Sequence, residues 1–223
     1  MTSSKKFIYG LGLCFGLPWL ILIINPALEA EKLTTVAYDK DRDGIEGVYP
    51  AAGIYRQGQL VYTREGCVQC HTQMIRPTFA GMSDGIKKGW GSDQSETPRE
   101  IVRSSTMRDY LGEPVAPLGI QRIGPDLANA GYRLKDKAAM HVHLYAPRSV
   151  TAWSIMPNFR HLYKTQPIQG NGSADALDLP KEYAPKKGFE IVPTLEANEL
   201  VNYLSSLKKD APLPGQVIAE AKK

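Results

Sequence analysis

Apolar positions along the chain form one long uninterrupted block and several short periodic ones. From Phe7 to Ile24 the sequence FIYGLGLCFGLPWLILII carries no charge over 18 residues. At about 1.5 Å rise per residue such a helix spans roughly 27 Å, close to the thickness of a bilayer's hydrocarbon core. The block predicts a transmembrane anchor over residues 7–24. Lys5 and Lys6 precede it, whereas Glu29, Glu31 and Lys32 follow. The positive-inside rule therefore predicts that residues 1–6 stay cytoplasmic and that everything after Ile24 is translocated. A cleaved signal peptide is the alternative. Leu28-Glu29-Ala30 is a poor cleavage site for it, and the apolar run exceeds the usual h-region of about 7–15 residues. Gly12 and Gly16 form a G-x-x-x-G pair, which lets another helix approach closely. Pro18 is tolerated in a membrane helix where neighbouring groups satisfy the freed carbonyl.

Beyond the anchor the periodic segments are short. Residues 25–50 read as a charged connector punctuated by Gly and Pro. Within it Asp39, Asp41, Asp43 and Gly44 match the first half of a calcium loop, but the position that should supply a bidentate Glu is Pro50. A solvated acidic turn is the simpler reading. Ala51 to Glu65, with Ile54, Leu60 and Val61 among polar residues, predicts a helix, and Lys135 to Tyr145 predicts a second that stops before Pro147. From Leu195 to Lys208, Leu200, Val201, Leu204 and Leu207 fall on one helical face. Thr194 is its expected N-cap, with Glu196 in the first turn and Lys208 and Lys209 at the end. Residues 78–122 and 164–190 read as long loops, and so long an irregular stretch is usually functional or partner-facing. No strand pattern or internal repeat emerges. The expected fold is mostly α: one N-terminal transmembrane helix, then a helical domain over residues 51–209 and a tail over 210–223.

Composition adds exclusions. With 223 residues, 43% apolar, 22% charged and a mean hydropathy of −0.28, the chain is neither disordered nor multi-spanning. Lys+Arg 27 against Asp+Glu 23 gives +4 with no long basic run, so no nucleic-acid partner is expected. Three cysteines cannot frame a disulfide scaffold in a chain of this size.

Two of those cysteines carry the chemistry. Cys67-Val68-Gln69-Cys70-His71 is C-x-x-C-H, the attachment pattern of c-type haem. Two thiols at this spacing add across the two vinyl groups of one haem, which places the adjacent His71 under the iron as proximal ligand. A redox C-x-x-C would want a βαβ context, and none is visible. Half a zinc site would want a second ligand pair. His141-Val142-His143 exists, but i,i+2 spacing puts the rings on opposite faces of a strand and far apart on a helix. Export of the domain fits covalent haem, because attachment occurs on that side of the membrane. One covalently bound haem c is therefore expected, with Cys67 and Cys70 as tethers.

The sixth ligand must come from elsewhere. Met156 precedes Pro157, and a Met-Pro step is extended and rigid enough to hold a thioether against the distal face. Met74 lies too close to His71 to cross over, and Met1 is at the anchor. Met82, Met107 and Met140 stay open, as does ligation by His141, His143 or His161. In Gly124-Pro125-Asp126-Leu127, a carbonyl beside the proximal imidazole would accept its Nδ1–H and tune the iron.

C-x-x-C-H, G-P-D-L and M-P followed by an amphipathic helix is the layout of class I cytochromes c. The resemblance is narrower still. Arg64 to Pro77 (REGCVQCHTQMIRP) resembles the haem segment of subunit II of cbb3-type cytochrome c oxidases. Trp90-Gly91-Ser92, Arg122 to Leu127, His143 to Val150 and Met156-Pro157 look like that family's later blocks. The stretch between Trp90 and Gly124 is longer than the family's usual link. The resemblance implies a non-catalytic electron-transfer subunit in a bacterial cytoplasmic membrane, with its haem domain periplasmic. It implies as partners an oxygen-reducing haem–copper subunit and a further cytochrome c subunit, with soluble cytochrome c as a donor. Arg76 and Arg122 are candidates for the haem propionates or for a partner surface, and plain solvation is the alternative. An anchored cytochrome of another complex, such as nitric oxide reductase, or a free-standing shuttle is the competing function.

Overall fold

A computed structural model describes residues 2–32, 53–77, 80, 84, 103–111, 113 and 115–210. The calcium-like turn at residues 39–44, Met82, Trp90-Gly91-Ser92, most of the 78–122 loop and the tail from residue 211 lie outside the described residues. The chain divides into two compact units, Met1–Ala37 and Tyr38–Lys223.

The first unit is one helix, α1 (Ser3–Glu31), long and apolar enough to cross a membrane. It extends beyond the apolar block at both ends. Gly12–Gly16 and Leu20–Ile24 are wound as π-turns, and Pro18 and Pro26 each sit just after such a turn. A wider turn relieves the clash between a proline ring and the carbonyl one turn back, so the helix passes both prolines unbroken.

The second unit is built on two helices from opposite ends of the sequence, α2 (Ile54–Arg64) and α5 (Leu195–Ser206). Gly58 is the reason they meet closely. A Cβ there would stand 2.0 Å from the Glu199 carbonyl oxygen and 2.6 Å from Tyr203 Cβ, so only a hydrogen fits. Around this crossing Val61, Tyr62, Leu200, Val201, Tyr203 and Leu204 are buried, and the Tyr62 and Tyr203 rings lie 5.4 Å apart. Each fully buried aliphatic side chain contributes roughly 1.5–3 kcal/mol. Ile54 and Leu60 instead face solvent, because the glycine, not the bulkiest residues, selects the face of α2 that packs. The Thr194 hydroxyl caps α5, accepting from Ala197 N at 3.3 Å.

Between these helices run α3 (Lys137–Tyr145), capped by Asp136, and the short α4 (Pro147–Val150). The loop expected over 164–190 is closed at its ends by a two-stranded antiparallel ribbon, β1 (Tyr163–Pro167) on β2 (Phe189–Pro193), with Tyr163 opposite Pro193. This corrects the expectation of no strand. The ribbon's inner edge reaches the core through Tyr163 and Ile191, and both the amide and the hydroxyl of Thr194 bond the Leu162 carbonyl to anchor it against α5. With one small ribbon among helices, the protein is mostly α.

Candidate functional site

Past Arg64 the chain turns through Gly66 into a 3-10 turn, Cys67–Gln69, closed by Cys70 N and His71 N donating to the Cys67 carbonyl. This tight winding brings both thiols and the imidazole out of five consecutive residues. Cys67 and Cys70 are free and half-buried. Burial, reinforced by the Glu65 charge, pushes the Cys67 thiol up to about 12. A redox C-x-x-C nucleophile needs the opposite shift, toward the thiolate at neutral pH. Cys67 therefore lacks the electrostatics of a redox nucleophile.

Residues 118–127 lie along the C-x-x-C-H segment and fix it. Ile120 N donates to Val68 O at 2.9 Å, Gly124 N to Cys70 O at 2.9 Å and Leu127 N to Thr72 O at 2.7 Å. This pairing seats the Pro125 carbonyl 2.8 Å from His71 Nδ1. A carbonyl only accepts, so Nδ1 carries the proton and Nε2 is left with its lone pair. Burial depresses the His71 pKa despite the Pro125 bond, which keeps the ring neutral. Neutral imidazole is the form that ligates metal. The ring lies close against Gly124, where an added Cβ would stand 2.1 Å from His71 Cε1. Two half-buried thiols, a neutral imidazole anchored through Nδ1 and a glycine clearing space for the ring fit a haem held by Cys67, Cys70 and His71.

Behind this strip stands a buried charge network. Asp126 accepts from Thr72 Oγ1 at 2.5 Å, from Met74 N at 2.8 Å and from Ala128 N at 2.8 Å. Asp84 accepts from Arg76 N and Nε, both at 2.9 Å, and from Arg122 Nη1 at 2.6 Å. Burial resists ionisation of Asp84, but the Arg76 and Arg122 hydrogen bonds win and hold its carboxyl well below the usual carboxylate range. Arg122 also donates to Thr72 Oγ1 and to the Met74 carbonyl, and Arg133 donates to the Asp126 carbonyl. Sequence reasoning missed Asp84 and the role of Asp126. No spacing rule links Asp84 to Arg122, 38 residues apart.

The other candidates separate by environment. Met156 is half-buried and packs on the main core cluster, as Cys67 and Val68 do, with its N–H on Ser154 Oγ at 3.2 Å. Met140 is buried inside that cluster, and Met107 is exposed. His141 stands 3.1 Å from the Tyr163 hydroxyl, and exposed His161 stands 2.7 Å from Glu65. His143 is half-buried on α3, its pKa depressed by burial and by the nearby His71 ring.

The family model of the cytochrome c oxidase mono-heme subunit, FixO, matches residues 16–182. The chain belongs to this family. No curated protein matches it. The matched region runs from within α1 through the C-x-x-C-H turn, the Pro125 carbonyl and Met156, and takes in β1. Membership of the FixO family implies one haem and a place beside other subunits of an oxidase.

Proposed function

We propose that the chain is the electron-relay subunit of a cbb3-type oxidase, anchored in the bacterial cytoplasmic membrane by α1 with its haem domain on the periplasmic side. The observation carrying this reading is the His71 ring, neutral, bonded through Nδ1 to Pro125 and next to two half-buried thiols in the C-x-x-C-H turn. Bound there, haem supplies one-electron exchange between ferrous and ferric iron. Cys67 and Cys70 would tether it, and His71 Nε2 and the Met156 thioether would be the residues that hold its iron. Pro125 orients His71 through its carbonyl. Arg76, whose guanidinium is shared with Asp84, stiffens the segment after His71 and stands as the candidate contact for a propionate.

With His71 and Met156 as the residues that would hold the iron and one electron held at a time, the chain would not by itself reduce oxygen, which takes four. It passes electrons from a further cytochrome c subunit, or from a soluble cytochrome c, to the haem–copper subunit. Lys5 and Lys6 hold the N-terminus in the cytoplasm.

Pyridine haemochrome measured against protein should give one haem per chain that resists acid acetone, and Met156→Ala should stay haem-loaded but bind carbon monoxide and fall in potential. Two haems per chain or extractable haem would overturn the cofactor assignment. An unchanged low-spin spectrum in Met156→Ala, with loss of that spectrum in a His143 variant, would overturn the ligand.

A further inference from the structure

We propose that Asp126 is a positioning residue for the axial imidazole: its carboxylate sets the direction of the Pro125 carbonyl and so the strength of the hydrogen bond to His71 Nδ1. The proposal rests on the reading of His71 as the proximal ligand and goes one step behind it.

Pro125 has its φ locked by its ring, so its carbonyl is aimed by the one remaining torsion, ψ, which turns the peptide plane shared with Asp126. That plane is held at its far end. Asp126 is 1% exposed, and its two carboxylate oxygens take the Thr72 hydroxyl at 2.5 Å, the Met74 amide at 2.8 Å and the Ala128 amide at 2.8 Å. The Arg122 guanidinium stands 3.7 Å away, and Arg133 holds the Asp126 carbonyl. Thr72 and Met74 belong to the segment that carries His71, so one buried carboxylate ties donor segment and acceptor segment together at the His71–Pro125 bond. Leu127 N on Thr72 O closes the same junction from the backbone.

The electronic consequence has a definite sign. An Nδ1–H held by a carbonyl gives the imidazole imidazolate character, raises its basicity and favours ferric iron. Loosening the carbonyl weakens that donation, favours ferrous iron and raises the midpoint potential. A carboxylate whose only duty is to brace the fold would change melting temperature and leave the potential alone.

The test uses the full-length, haem-loaded chain in detergent. Asp126→Asn keeps the shape but loses an acceptor, and Thr72→Val removes one donor while keeping the carboxylate charge. Equilibrium redox titration and deuterium exchange of the hyperfine-shifted His71 Nδ1–H are read on both. The expected result is an upward potential shift in both, smaller in Thr72→Val, with faster exchange and unchanged haem stoichiometry. A shift in Asp126→Asn alone would be a through-space charge effect and would overturn the proposal. Lower melting temperatures with wild-type potential and exchange would overturn it too. If Asp126→Asn does not accumulate, Thr72→Val decides by the same readouts. Absence of covalent haem in the wild-type chain would instead refute the reading beneath the proposal.

Discussion

His71 shows how little room single residues have at this site. Its ring lies against Gly124 so closely that Gly124→Ala should abolish the native ring position, since overpacking of this severity costs about 3 kcal/mol or more. Haem-stained gels at equal protein loading should show a strongly reduced holoprotein band, and a wild-type band would show that the backbone moves aside. Asp84 tests the network by pH. Its folded pKa lies below the ordinary carboxylate value of about 4, so its stabilisation is present above that value and is lost as pH falls toward the folded one. Asp84→Asn should lower stability at neutral pH, because Arg76 and Arg122 lose the carboxylate they share, and the partial exposure of Arg76 keeps that loss modest. The gap between wild type and variant in denaturant titrations should narrow below about pH 4; a gap constant with pH would contradict the ionised pair. The grouping of two thiols and an imidazole is legible in the sequence because C-x-x-C-H packs Cys67, Cys70 and His71 into one turn. The Asp84 pairing is not, because a buried acceptor drawing on two distant arginines leaves no period in the chain. The 54-residue closure of His71 on Pro125 was legible only through the order of the motifs.

Elements were legible where one face is apolar and one end is capped. The α5 face of Leu200, Val201 and Leu204 and the Thr194 cap are where the period places them. The ribbon was hidden because both strands are five residues long, end on proline and alternate weakly between buried and exposed. The α2–α5 crossing offers a direct test through Gly58. Replacing it with Ala gains about 1 kcal/mol of helix propensity but sets a Cβ against backbone atoms of Glu199, costing about 3 kcal/mol. The clash wins. Thermal unfolding of Gly58→Ala should show a midpoint lower by roughly 4–8 °C. A raised midpoint would mean that the two helices stand further apart than described.

For the whole molecule, the division at Ala37 and Tyr38 predicts separable roles. A chain exported from Tyr38 onward should partition into the aqueous phase with an unaltered haem spectrum. An altered spectrum would show that the anchor shapes the haem site. Purified full-length chain should take up one electron per haem from a reduced donor and consume no oxygen. Steady oxygen uptake scaling with its haem content would refute the relay role.

Because α2 and α5 close the domain from its two ends, its assembly has a built-in order. On the proposed topology the residues after α1 cross the membrane in chain order, so Cys67 and Cys70 would emerge long before Leu195–Ser206. Until then α2 has no partner for its Gly58 face. The proposed haem would then meet the two thiols on an open segment, and the closure of α2 on α5 would come last, at the loop-closure cost of joining helices more than a hundred residues apart. On the proposed reading, loading of the cofactor would precede folding of the domain that holds it.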